Sequence, residues 1–268
     1  MDLDWLTGEV RKLAEETGRY LIAERNSFDG TRVEQKAAHD YVSYVDKASE
    51  RRIVDRLREL LPEAGFIAEE GTGTLQDEKY CWVVDPLDGT SNYIHDNAPY
   101  CVSIALRSRE EVLLGVVYEC TRNELFWAHK DSKAFLNGRE IHVSGMSTLE
   151  HAFIELGFPY KAEQYRPFAL KLIEELYGHV GGLRLMGAAA AELCYIAAGR
   201  FEARIEAFIG PWDIAAGHII LKQAGGLMTD FSGNPDCLNA REVFASNGNI
   251  HDELLNVIRK YKVLQENG

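Results

Sequence analysis

The apolar run Cys81-Trp82-Val83-Val84 leads without a break into Asp85-Pro86-Leu87-Asp88-Gly89-Thr90-Ser91-Asn92-Tyr93. An uninterrupted apolar tetrad reads as a buried strand, and Asp-Pro-Leu-Asp-Gly as the turn that ends it. Two carboxylates are thereby delivered side by side at a strand end, aimed out of the sheet. Clustered carboxylate and carbonyl oxygens are what a hard cation such as Mg²⁺ takes, together with some retained waters. Gly89 admits a ligand close to the backbone, and a helical turn starting there would face the Gly89 and Thr90 N–H groups toward an anion. Asp-Pro and Asp-Gly are also ordinary turn dipeptides. Alone, the stretch reads either as a metal-and-phosphate site or as a plain turn, and carboxylates from elsewhere are needed to decide.

Three further segments offer them. Phe66-Ile67-Ala68-Glu69-Glu70-Gly71 is a short strand ending in paired glutamates, which a solvated surface would also accommodate. Asp46 stands near the start of a predicted helix running to about residue 61, where the ordinary role of a carboxylate is to cap the helix or meet its dipole. Asp213 follows Pro211-Trp212 in the first turn of another helix, and Ala215-Ala216-Gly217 behind it would let that helix pack closely and push its N-terminus into a site.

The rest of the chain reads as alternating elements. Residues 1–24 repeat apolar side chains near helical spacing, and 26–40, which contain Lys36, form a polar loop or a pair of short edge strands. Residues 71–79 are a glycine-rich polar loop. Segments 101–107, 112–119, 124–129 and 134–143 alternate as antiparallel strands, with Asn137-Gly138 as a type I′ hairpin turn. From about residue 144 strands and helices alternate: strands at 153–156, 183–186, 201–209 (carrying Glu206), 227–230 and 243–246, and helices at 168–176, 188–198, 211–225 and 251–263.

The 268 residues, 46% hydrophobic and 26% charged, suffice for one large or two small globular units. No apolar run approaches the roughly 18 residues that span a bilayer. Five scattered cysteines, several within apolar runs, fit reduced thiols of a cytoplasmic protein better than a disulfide or zinc framework. A net charge of −13 argues against sequence-independent nucleic-acid binding. It would also repel a phosphate, unless bound metal ions invert the local potential.

Taken together, Asp85-Pro86-Leu87-Asp88-Gly89-Thr90, preceded by Ala68-Glu69-Glu70 and followed by Trp212-Asp213-Ile214-Ala215-Ala216-Gly217, resembles the inositol monophosphatase family of Mg²⁺-dependent, lithium-sensitive phosphatases. The resemblance runs from about Lys36 to Asn247, through Asp40-Tyr41-Val42-Ser43-Tyr44-Val45-Asp46 and Gly187-Ala188-Ala189. It implies a mixed α/β (α+β) fold, a layered α-β-α-β-α sandwich. An antiparallel sheet would lie in the N-terminal half and a parallel-rich mixed sheet in the C-terminal half. Residues 1–143 would carry most metal ligands and 144–268 the substrate contacts, forming one catalytic unit in a homodimer.

The resemblance also implies roles. Glu69, Asp85 and the Leu87 carbonyl would hold one Mg²⁺. Asp85, Asp88 and Asp213 would hold a second, and Glu69 would reach a weaker third through water. Thr90 with Asp46 would orient and help deprotonate the attacking water. The Gly89 and Thr90 N–H groups would bind phosphate, while Asp88, Gly187, Ala188, Ala189 and Glu206 would contact the alcohol. No cysteine or histidine is required, and His39, His95 and His218 read as loop or packing residues. Ala68 replaces a glycine usual in the family, Ser43 a threonine and Tyr93 a phenylalanine. Leu156-Gly157-Phe158-Pro159-Tyr160 is similar to the microbial branch, with Phe158 where animal members carry a serine near the substrate. Inositol 1-phosphate is the leading substrate. Fructose 1,6-bisphosphate, NADP(H), histidinol phosphate and 3′-phosphoadenosine nucleotides are rivals on the same site. A different class of role is membership of an RNA-polymerase antitermination assembly, for which Arg51, Arg52, Arg56, Arg58 and Arg184 are the available basic cluster, although solvated helix faces and a dimer contact are the preferred reading of them.

Overall fold

A computed structural model of the chain describes residues 1–37, 40–72, 79–158 and 162–266, the side chains at 32, 35–37, 40–42 and 263–266 excepted. The side chain of Lys36, His39, most of the 71–79 loop and Pro159-Tyr160 lie outside the described residues.

The N-terminal half opens with helix α1 (Leu3–Arg25), a short antiparallel pair β1 (Glu34–Ala37) and β2 (Asp40–Val42), and helix α2 (Tyr44–Leu60). A seven-stranded sheet follows in chain order: β3 (Gly65–Ala68), β4 (Tyr80–Asp88), β5 (Cys101–Ser108), β6 (Val112–Glu119), β7 (Glu124–His129), β8 (Phe135–Leu136) and β9 (Arg139–Glu140). Only its first pair, β3 with β4, is parallel. The short helix α3 (Thr90–Ile94) follows β4 directly. The C-terminal half contributes β10 (Phe153–Gly157), α4 (Arg166–Leu176), β11 (Gly182–Arg184), α5 (Ala189–Ala197), β12 (Ala203–Ala207), α6 (Pro211–Gln223), β13 (Leu227–Thr229), β14 (Glu242–Ser246) and α7 (His251–Glu266). Its five strands run β11-β10-β12-β14-β13, with β10 parallel to both neighbours and the remaining pairs antiparallel. The fold is mixed α/β with two mixed sheets.

The period-2 alternation of β4 sorts its side chains between two cores. Trp82 and Val84 join the core shared with α1 and α2 (Leu6, Val10, Ile53, Leu57). Cys81 and Val83 join a second core with α5, α6 and the inner face of the five-stranded sheet. A third core packs Phe168 and Leu172 of α4 and Leu254 and Ile258 of α7 on the outer face of that sheet. The result is five layers, α-β-α-β-α, with α5 and α6 between the sheets.

Three sequence expectations shift. Strand β4 does not end before Asp85 but runs through Asp88, pairing at Asp85↔Ser103 and again at Asp88↔Cys101 with an irregularity between. Pro86 and Leu87 oppose the single residue Val102 there. Positions 85 and 88 of a regular strand would face opposite sides, and the extra residue returns Asp88 to the face of Asp85. Pro86, with no N–H to give the ladder, sits within that bulge. The expected strand 134–143 reduces to β8 and β9 around Asn137-Gly138, whose φ of 48° and 79° are those of the type I′ turn. Strand β11 ends at Arg184, so Met186 and Gly187 belong to a connecting segment, and α5 starts at Ala189 with Ala188 extended before it. All five cysteines are free and buried. No helix among the described residues is long and apolar enough to cross a membrane.

Candidate active site

The bulged end of β4 and the first turn of α6 meet in space. One carboxylate oxygen each from Asp85, Asp88 and Asp213 lie within 4.8 Å of one another. Asp213 arrives because α6 packs tightly on both neighbours. A side-chain carbon on Gly217 would stand 2.6 Å from Leu193 of α5, and one on Gly115 of β6 would stand 2.6 Å from the Ala216 carbonyl. The small residues noted in the sequence are what this approach needs. Asp213 Oδ2 accepts the Gly210 N–H at 2.7 Å, which ties the carboxylate to its helix end.

Asp85 is fully buried, with Oδ1 accepting the Leu87 N–H at 3.0 Å. Asp88 Oδ1 accepts from Ala189 N at 3.1 Å, and Oδ2 from Ala190 N at 2.8 Å and from Cys101 Sγ at 3.3 Å. Burial first, then the charges of Glu69, Asp88 and Asp213, push the Asp85 carboxyl well above the ordinary carboxylate range. Burial and then Glu69 and Asp88 do the same to Asp213. Asp88 rises to about 6, with burial the largest cause and the Ala190 N–H opposing it. So much negative charge, all on oxygen and out of water, is the donor chemistry of a hard divalent cation. The acidic cluster fits a metal site.

Thr90 Oγ1 lies 3.0 Å from both Asp46 Oδ1 and the Leu87 carbonyl. Asp46 is buried, and burial raises its pKa against the opposing hydrogen bonds from Ser43. Its Oδ2 accepts the Ser43 N–H at 2.8 Å and the Ser43 hydroxyl at 2.5 Å, completing a capping box at the start of α2. The cap role is therefore filled by one oxygen, and the other faces Thr90. Gly89 precedes α3 with φ 87°, and a side-chain carbon there would lie 2.9 Å from the Pro99 carbonyl. Backbone conformation and space both require glycine at this position.

These residues open on a cavity of about 440 Å³ that Glu69, Asp88, Gly89, Thr90, Gly187, Ala189, Glu206 and Asp213 line. Ala188 does not line it, being buried behind Gly89. Phe158 and Phe208 form an apolar flank, and Phe208 adopts φ 62°, an uncommon conformation for a bulky residue and one that concentrates at functional sites. A second cavity of about 490 Å³ lies at the other end of α6, against His218, Lys222 and Asp236, and none of the expected site residues lines it. Burial and then Lys222 push His218 down to about 4, so it is neutral there, in keeping with a packing role.

A family model described as the inositol monophosphatase family matches residues 3–262. The chain belongs to the inositol monophosphatase family. It is 36% identical over 254 residues to the fructose-1,6-bisphosphatase/inositol-1-monophosphatase of Aquifex aeolicus, covering 94% of this chain and 95% of that one. It is 35% identical over 259 residues to the Nus factor SuhB of Escherichia coli K12, covering 93% and 97%. Among solved structures, the Thermotoga maritima IMPase superposes with a TM-score of 0.88 at 36% identity, covering 98% of this chain and 99% of that one.

Several residues of this inositol monophosphatase family member shape the site although the sequence assigned them no part in building it. Glu50 of α2 accepts the Glu70 and Thr72 N–H groups at 2.7 and 2.8 Å and so holds the turn after Glu69. Asn92 Nδ2 donates to the Pro99 and Met186 carbonyls, both at 2.7 Å, joining α3 to the Met186-Gly187 segment. Arg204 lines the cavity beside Glu206. Its signal was available: Ala203-Arg204-Ile205-Glu206-Ala207 puts two charged side chains two apart on one strand face. The basic cluster is largely engaged within the chain. Arg56 pairs with Glu9 and Glu59, Arg58 with Asp55, and Arg52 and Arg184 lie over the rings of Tyr20 and Phe153.

Proposed function

We propose that this phosphomonoesterase is Mg²⁺-dependent and lithium-sensitive and acts on a small polyol phosphate, inositol 1-phosphate foremost. The observation that carries the reading is the meeting of Asp85, Asp88 and Asp213, from segments over a hundred residues apart, at the edge of the cavity that Glu206 lines. Glu69, Asp85 and the Leu87 carbonyl would hold one Mg²⁺, Asp85, Asp88 and Asp213 a second, and Glu69 a third. Bound there, the cations would neutralise the phosphate and lower the pKa of a water molecule. Residues 1–143 supply most of these ligands and 144–268 the substrate contacts.

The chain's own groups do the rest. The Thr90 hydroxyl has one proton and two acceptors at equal distance. Donating it to Asp46 leaves a Thr90 lone pair to accept a hydrogen from the attacking water, which aligns that water for in-line displacement. The Gly89 and Thr90 N–H groups hold the phosphate. Asp88 is held rigid by Ala189 and Ala190, and Glu206 accepts from alcohol hydroxyls. Phosphate release from inositol 1-phosphate, fructose 1,6-bisphosphate, NADP⁺ and 3′-phosphoadenosine 5′-phosphate, each with Mg²⁺ and with EDTA, tests the reading. Release from inositol 1-phosphate that stops in EDTA is expected, and full activity in EDTA overturns it.

The relatives named Nus factor SuhB favour a second reading, in which this chain, in homodimeric form, also joins an RNA-polymerase antitermination assembly. The engagement of Arg52, Arg56, Arg58 and Arg184 with neighbours on their own chain weighs against that surface. Co-purification of RNA polymerase with the tagged chain tests it.

A further inference from the structure

Arg204 is 2% exposed and is the only cationic side chain among the described residues that line the active-site cavity. It is not free to meet an anion. Its guanidinium contacts the carboxylates of Glu155, Glu192 and Glu206, from β10, α5 and β12. Two of those carboxylates also fix the backbone of the segment that borders the cavity at Met186 and Gly187. Glu155 Oε1 accepts the Met186 N–H at 2.9 Å and Glu192 Oε1 the Ala188 N–H at 3.1 Å. Glu206 is pressed from its other side by β10. It pairs in register with Gly157, and a side-chain carbon on Gly157 would fall 2.3 Å from Glu206 Cδ. Glu206, the least buried member of the set, is thus held between an arginine and a bare backbone.

We propose that Arg204 is a positioning residue that fixes Glu206 as a hydroxyl acceptor and, saturated by Glu155 and Glu192, makes the enzyme selective for a phosphomonoester with a neutral, hydroxyl-bearing alcohol over one with a second phosphate. This rests on the phosphatase reading above. Three carboxylates outnumber one guanidinium, so the alcohol end of the cavity is acidic. A sugar or cyclitol hydroxyl can donate to Glu206, whereas a second phosphate meets like charge, and no other cationic side chain among the described residues lines the cavity to offset it.

The test is kcat/KM for inositol 1-phosphate and for fructose 1,6-bisphosphate, with Mg²⁺, in the full-length protein and in Glu155→Gln. The glutamine keeps an oxygen for the Met186 N–H and removes one buried negative charge. The wild-type protein is expected to prefer the monophosphate. The bisphosphate-to-monophosphate ratio should rise about tenfold in Glu155→Gln through a lower KM for the bisphosphate, because one like charge fewer faces the second phosphate in a partly desolvated site. A purely structural role for the network would lower both substrates together, and an unchanged ratio overturns the proposal. If Glu155→Gln does not fold, Glu206→Gln must raise the same ratio, and failure to do so overturns it equally. Absence of phosphate release from every substrate by the wild-type protein overturns the phosphatase reading itself, and this proposal with it.

Discussion

Thr90 Oγ1 and Asp46 Oδ1 lie 3.0 Å apart across 44 residues of sequence, while the other Asp46 oxygen is committed to Ser43 at the start of α2. One carboxylate thus ends a helix and sets the direction of the Thr90 proton. In Asp46→Asn the amide oxygen can keep the Ser43 bonds, but the NH₂ group then donates to Thr90 and turns its proton toward the Leu87 carbonyl. The expected result is a kcat lower by about 10²–10⁴-fold with KM little changed, the range of a lost proton-transfer partner. Asp46→Ala should in addition lose the cap, at about 0.5–2 kcal/mol of stability. Steady-state kinetics with thermal melts separate the two, and an Asn variant with unaltered kcat removes this pair from the chemistry.

The acidic cluster makes stability depend on pH in a direction that metal should reverse. Asp85 and Asp213 are raised well above the ordinary carboxylate range and Asp88 to about 6. The folded state therefore binds protons more tightly than the unfolded chain, so this contribution to stability is present at low pH and lost as pH rises through the folded values. For Asp88 the window runs from about 4 to about 6, and for the other two it extends higher. Metal-free protein should melt at higher temperature near pH 5.5 than near pH 8. Mg²⁺ requires the deprotonated carboxylates, so its stabilisation should be large near pH 8 and small near pH 5. Melting curves with Mg²⁺ and with EDTA at both values test this, and an equal Mg²⁺ effect at the two would refute it.

Asp213→Asn isolates one member of that cluster. The asparagine oxygen can still take the Gly210 N–H, and its NH₂ group would face the remaining carboxylates as a donor rather than a like charge. The variant should lose activity by several orders of magnitude, yet melt higher than metal-free wild type at neutral pH and respond little to Mg²⁺. A lower melting temperature in the absence of metal would mean that the carboxylates are not in electrostatic conflict.

Much of this architecture was legible because strand and helix periods are local. The sequence of β4 through α3 announced a strand and two carboxylates, and Ala215-Ala216-Gly217 announced the close packing of α6. The bulge between Asp85 and Asp88 was not legible, since it depends on the register of β4 against β5 rather than on Asp-Pro-Leu-Asp itself. Nor was the division of labour in Asp46, where cap and site readings competed for a residue whose two oxygens satisfy both. Gly187-Ala188-Ala189 was expected at the alcohol. The N–H groups of Ala189 and Ala190 are spent on Asp88, so part of the segment supports a carboxylate instead. Arg204 was legible only in part: its alternation with Glu206 on β12 is local, but Glu155 and Glu192 sit on β10 and α5, and only tertiary structure brings them to it.

Gly157 offers the most economical probe of Glu206, because the change is one methyl group on the neighbouring strand. Its backbone needs no glycine for conformational reasons, as it is not among the positions with positive φ. What it supplies is space, since the added carbon of Gly157→Ala would fall 2.5 Å from Glu206 Oε1. The carboxylate must swing away from Arg204 or into the cavity. The metal cluster lies on other elements and should bind Mg²⁺ as before. KM for inositol 1-phosphate should therefore rise by about tenfold, the cost of one misplaced hydrogen bond to a charged group, with kcat and the Mg²⁺ dependence nearly unchanged. A fall in kcat with unaltered KM would instead place Glu206 at the reacting phosphate rather than at the alcohol.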